Sequence, residues 1–392
     1  MPLFPVILDE TQYHIMLSII ILPLMGVFLL KGDFTGCKKQ VIIASSFFVL
    51  LQFLLLLSLF FGKESLISFG DFFSLFRPLT FVVSIVCLII LTKDAENCFF
   101  ALEKTLTILL FIILAISIIE VFLNTSVLAD INYFLYKLQR KMDIAKVSVS
   151  VFVLPYYVGY ALSFFISYFM TLLLIKRKIK YVVLSSIVVF ISLLAQSKTG
   201  IMVNVAIFIF GLLVYSHGLI RYILLASAIF IFYALFLNIQ EVLNYIAENY
   251  PGNFSHSIQI IINDTGESYT LNERLAQFAF IFNGLKDNYF LTGYGLGRDL
   301  LLESWIVTIL VRYGIVGLFV YLLFSAFLIF KGFFFYINRS DNSRYISLFF
   351  IVWIVLSFIS QLSAFMNETS KTAYIFLLYL AIFLNIIYAN KK

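Results

Sequence analysis

Charge is what this sequence lacks. Of its 392 residues only 12% are Asp, Glu, Lys or Arg, while 62% are hydrophobic and 46 are phenylalanine. A soluble protein of this length needs a polar skin over its core, and too few charged residues exist to make one. Mean hydropathy is +1.04, and apolar runs close to the length of a bilayer span recur along the chain. Lys and Arg are also missing from "MPLFPVILDETQYHIM", ahead of the first apolar run. The basic segment of a cleavable signal peptide is therefore not there, and the first helix is expected to be retained.

Cysteine and histidine are scarce too. Cys37, Cys87 and Cys98 match neither a metal-ligand spacing nor a disulfide framework, and His14, His217 and His256 are far apart in the chain. No metal site and no cofactor are read from them. No internal repeat is visible, although such repeats mark many secondary transporters. The net charge of +6 calls for no nucleic-acid partner, because basic loops on one side of a membrane account for it. The lipid bilayer is the partner that composition itself demands.

What remains is an all-α polytopic integral membrane protein of about eleven transmembrane helices. The spans fall at 13–30, 41–61, 74–92, 105–123, 151–175, 181–196, 200–216, 220–238, 305–333, 345–365 and 372–389. Residues 1–238 carry the first eight, 239–302 form one large outer-face loop that is partly helical, and 303–392 carry a re-entrant segment and the last three spans. With the C-terminus cytoplasmic, the inner segments hold fifteen of the 27 Lys and Arg in about fifty residues, "IKRKIK" being the densest. Two outer segments are long. In 124–150, "INYFLYKLQRKMDIAKV" reads as an amphipathic helix in the headgroup layer, or as a surface that guides an anionic lipid-linked substrate. In the large loop, "LNERLAQFAFIFNGLKDNY" reads as an amphipathic helix with Leu271, Leu275, Phe278, Ile281 and Phe282 on its apolar face.

Against this background, the ionisable residues at the outer face stand out. They are Lys198 in "QSKTG", Glu273 and Arg274 in "NERLAQF", Arg298 and Asp299 in "GYGLGRD", and Glu303 and Arg312 in "LLESWIVTILVRYG". Lys198 can snorkel from its turn, and Arg274 and Arg298 can be solvated surface cations. Arg312 is harder to dismiss. Taking Trp305 as the interface, Arg312 lies about 10 Å deeper along the helix, where a cation must face protein or water. The run from Trp305 to Ile337 is too long for one straight span, which predicts a break near Tyr313–Gly314. Glu303 is either a first-turn acid favoured by the helix dipole or a general base. The alternating glycines of "GYGLG" leave backbone N–H groups for an anion.

Three stretches resemble the O-antigen polymerase and ligase superfamily: "QSKTG", "NERLAQF…NYFLTGYGLG" and "LLESWIVTILVRYGIVGLFVYLL". The likeness is greatest to the Wzy-type polymerases of O-antigen and capsule clusters, whose early "D…RP" segment is similar to "FGDFFSLFRPLTF". The resemblance implies an enzyme of the bacterial inner membrane with its active site on the periplasmic face. It would be a membrane glycosyltransferase that joins undecaprenyl-diphosphate-linked oligosaccharide repeat units into polysaccharide, with a chain-length regulator as a candidate partner. Glu303 would be the catalytic base, and Arg274, Lys198, Arg298 and Arg312 would hold the diphosphate. This chain departs from the pattern in having Lys198 where relatives often carry Arg, and Glu303 where ligases tend to carry His. A lipid-linked oligosaccharide flippase and an O-antigen ligase are the competing readings.

Overall fold

The structure of the protein, a computed structural model, describes residues 34, 36–62, 74–122, 147–150, 152, 155–218, 221–223, 226, 241, 244–245, 276–281, 283, 289–296, 304–362, 365, 367 and 372–388. Regular structure among them is entirely helical. In chain order the helices are Lys38–Phe61 (α1), Arg77–Leu91 (α2), Ala95–Phe122 (α3), Pro155–Lys176 (α4) and Lys180–Leu194 (α5). They continue with Lys198–Tyr215 (α6), the single turn Tyr289–Thr292 (α7), Trp305–Asn338 (α8), Ser343–Ser360 (α9) and Ala373–Tyr388 (α10). Six of them (α1, α3, α4, α6, α8 and α9) are long and apolar enough to cross a membrane, and α2, α5 and α10 are shorter apolar helices. This is the make-up of an α-helical polytopic membrane protein.

The expected span 13–30 and nearly all of 220–238 lie outside the described residues, as do most of the loop 239–302 and of the segment 124–150. Two expected loops are shorter than the sequence suggests. Helix α3 starts at Ala95 rather than near 105, and α8 runs on to Asn338 rather than ending near 333. The reason is that hydropathy marks where a helix leaves hydrocarbon, whereas its hydrogen bonds continue into the polar layer until a cap stops them.

The described residues divide into two compact units, one drawn from 6–105 and 274–392, the other from 106–273. In the first, α1 packs on α2 and α8, α8 on α9, and α10 on α2 and α9. Aromatic rings fill the α9–α10 seam: Phe350 stacks on Phe383 with centroids 3.9 Å apart, and Tyr379 meets Phe350 edge-on at 5.0 Å. Asn385, buried on α10, donates its amide to the carbonyls of Ile89 and Thr92 at 2.8 Å each. An apolar medium makes such an interhelical bond the natural way to satisfy a buried amide.

In the second unit α4 is the central helix, buried from Val158 to Leu174 and packed against α5 and α6. Its Ser163, Ser167 and Thr171 satisfy themselves by donating to carbonyls three or four residues back. Helix α6 crosses α4 at a glycine pair. A Cβ on Gly200 would lie 2.7 Å from the Gly159 Cα, so the backbones touch. Beside the crossing, Asn204 donates to the Gly159 carbonyl (3.3 Å) and to Ser192 Oγ (2.7 Å). Replacing Gly200 with Ala should push these helices apart and cost about 1–3 kcal/mol. The check is unfolding of the purified variant in mixed dodecylmaltoside–SDS micelles; a midpoint equal to wild type would show that the contact is slack.

Candidate functional site

The first unit contains a joint between a loop and a broken helix. Within α8, Gly314 adopts φ 65 and ψ −169, outside helical space. A break in a helix leaves carbonyls that need donors from elsewhere. The Val311 carbonyl receives them from the "GYGLG" loop: Tyr294 N–H donates at 2.7 Å and Gly295 N–H at 3.4 Å. One residue further on, half-buried Arg312 donates from Nε to the Leu296 carbonyl at 3.1 Å. The approach is close enough to require glycine on both sides. A Cβ on Gly293 (φ 95) would lie 2.7 Å from the Val311 oxygen, and one on Gly314 would lie 2.5 Å from the Leu291 carbonyl carbon. Around the joint, Ile281, Val307 and Val311 form a buried cluster with Phe278, Tyr294 and Leu310 against it. The expected amphipathic segment is helical at 276–281, and Phe278 and Ile281 face α8 as their apolar spacing predicts.

One expectation changes here. The amides of Tyr294 and Gly295 are not left for an anion, because they bind the Val311 carbonyl. The glycines serve close docking of backbone on backbone instead. Trp305, taken from the sequence as the level of the interface, is packed inside the protein. It is only 7% exposed, its ring lies against Tyr321 (5.7 Å) and Phe358 (5.0 Å), and its backbone N–H donates to the Gln361 carbonyl at 3.2 Å. Tyr321 in turn accepts from the Asn367 amide at 2.8 Å. Trp305 thus anchors the start of α8 within the protein.

In the second unit, Lys198 is exposed and opens α6. Ser197 is the N-cap, accepting from Gly200 N–H at 3.3 Å, and Gln196 takes φ 50 to make the turn. A cation at a helix N-terminus opposes the helix dipole, so Lys198 does not stabilise this helix. The turn is braced from below. Ser148 N–H donates to the Leu194 carbonyl at 3.0 Å. The segment 148–150 is itself held by Glu120, whose Oε2 accepts from Val149 N–H (2.9 Å), Ser150 N–H (2.7 Å) and Ser148 Oγ (3.0 Å). Glu120 is 9% exposed, and among the described residues no Lys or Arg pairs with it. Its sequence signal is a single carboxylate inside the apolar run "ISIIEVF", which marks an acid that the protein must accommodate; the inventory of outer-face charges passed over it.

Of the five site residues expected from the sequence, Lys198 and Arg312 are described, one in each unit. Arg274, Arg298 and Glu303 lie outside the described residues. Among the described residues, no group of three or more His, Cys, Asp or Glu could hold a metal ion. Comparison with known proteins finds no family model that matches this chain and no similar curated protein.

Proposed function

We propose that this protein polymerises undecaprenyl-diphosphate-linked oligosaccharide repeat units into O-antigen or capsular polysaccharide at the outer face of a bacterial inner membrane. The observation that carries the reading is the joint at Gly314. Two of the three stretches that resemble the polymerases, "GYGLG" and "LLESWIVTILVRYGIVG", are hydrogen-bonded to each other there, with Arg312 fixed at the joint. A cation held this way inside an apolar helix is costly to keep, and substrate binding gives a reason to keep it.

In the proposed reaction, a hydroxyl of the acceptor repeat unit attacks the anomeric carbon of the donor glycan. The bond from that carbon to the carrier diphosphate breaks, and undecaprenyl diphosphate leaves. Glu303 takes the hydroxyl proton. Arg274, with Lys198 and Arg298 in support, offsets the charge gathering on the departing diphosphate, and Arg312 orients Glu303 or meets the diphosphate from below.

Glu303→Gln keeps the shape of the side chain and removes the base. Polymer should fall by at least 100-fold at normal protein level, within the range that a general base contributes. Arg274→Ala should weaken binding of the lipid-linked donor. Both are read from the glycan ladder of a complemented deletion strain. Wild-type ladders from Glu303→Gln would remove that residue from the base role.

A further inference from the structure

We infer that the cleft between the last turns of α8 and α10 seats the head group of an anionic phospholipid. The cleft has a volume of about 240 Å³ and is lined by Lys331, Phe334, Asn338, Arg339 and Tyr388, with Ile387 at its wall. Among the described residues, two cations and no carboxylate line it. Among the described residues, neither cation has a carboxylate partner. The Lys331 ammonium lies 6.0 Å from the Phe327 ring, and the Arg339 guanidinium lies 5.2 Å from that of Phe335. Such ring contacts leave the N–H donors of both groups available to a phosphate.

The surroundings choose between a lipid and a soluble anion. Phe330, Phe333, Phe334 and Ile337 are all exposed, and their spacing puts them on one face of α8. That face runs directly up to the cationic cleft, so a phosphate seated between Lys331 and Arg339 has an apolar surface alongside for its acyl chains. A free phosphate would gain nothing from that surface. A second cleft of about 300 Å³ shares Phe335 and Arg339 and is lined by Lys93 and by three carboxylates, Asp94, Glu96 and Asp341. Its three carboxylates outnumber its two cations, so an anion is better received on the α8–α10 side. Basic pockets at helix ends are the usual seats of anionic head groups. This site is independent of the glycan chemistry proposed above, since it uses none of the same residues.

The full-length protein in detergent, exposed to equal amounts of phosphatidylglycerol and phosphatidylcholine with matched acyl chains, should retain the former preferentially in native mass spectra. Two basic side chains near an anionic head group should together give a preference on the order of tenfold to thirtyfold. Lys331→Gln/Arg339→Gln should abolish it, while the charge-matched control Arg177→Gln/Lys178→Gln, in the other unit, should leave it intact. Equal retention of the two lipids by wild type would overturn the assignment, and so would equal losses in the two variants, which would mean diffuse charge alone. Displacement of phosphatidylglycerol by equimolar inorganic phosphate would reassign the cleft to a soluble anion.

Discussion

Gly314→Ala is expected to leave little folded protein. At φ 65 and ψ −169, an L-residue pays a backbone cost of about 1–3 kcal/mol. The added methyl also meets the Leu291 carbonyl, whose carbon would be 2.5 Å away, and the Gly293 nitrogen at 2.8 Å. These are backbone atoms, which cannot rotate aside, so overpacking adds about 1–3 kcal/mol more. Relief would require the loop 293–296 to leave α8, and with it the N–H donors of the Val311 carbonyl and the acceptor of Arg312 Nε. The summed loss, about 2–6 kcal/mol, is a large share of the stability of a typical domain. Expression followed by size-exclusion chromatography and a thermal melt in detergent would read it. A melting temperature within a degree or two of wild type would mean that the joint has a second, equally good packing. Gly317→Ala is no neutral control in the same helix, because its methyl would meet the Tyr313 Cβ, an atom that the backbone fixes.

The second large effect is expected at Glu120. Leu in its place keeps the apolar surroundings satisfied but orphans the N–H groups of Val149 and Ser150, while the Ser148 hydroxyl keeps Ser117 Oγ at 2.7 Å. Each buried donor left without a partner costs about 1–3 kcal/mol, and the two amides share one acceptor, so their sum is not additive. A loss of about 3–5 kcal/mol is expected. Glu120→Gln retains one carbonyl oxygen for the two amides and should lose about half as much. Denaturation in mixed micelles gives both values; a Leu variant within 0.5 kcal/mol of wild type would show that water replaces the carboxylate. Because segment 148–150 braces the Leu194 carbonyl ahead of the Lys198 turn, the Gln variant should also weaken any function of that turn before it unfolds the protein.

The residues themselves explain which features were legible in the sequence. The break at Gly314 was, because helix length and bilayer thickness are fixed quantities and a 34-residue apolar helix exceeds what a straight span needs. The apolar face of 276–281 was, because a period of 3.6 survives any choice of partner. The packing of Trp305 was not legible, because it depends on Tyr321 and Phe358, sixteen and fifty-three residues later. The amides of Tyr294 and Gly295 misled because a glycine-rich loop shows that backbone can come close to something, without saying whether that is a ligand or another helix. Glu120 went unread for a related reason. Its three donors come from residues twenty-eight to thirty positions away, a distance over which no local pattern carries information.

The most direct test of the proposed chemistry uses purified protein in liposomes. The substrate would be the undecaprenyl-diphosphate-linked repeat unit that accumulates when the corresponding gene is deleted. Gel analysis of the products should give a ladder with steps of one repeat unit, together with released undecaprenyl diphosphate, and Glu303→Gln should give neither. Single repeat units that cross the bilayer but never lengthen would contradict polymerisation and assign the protein to transport instead.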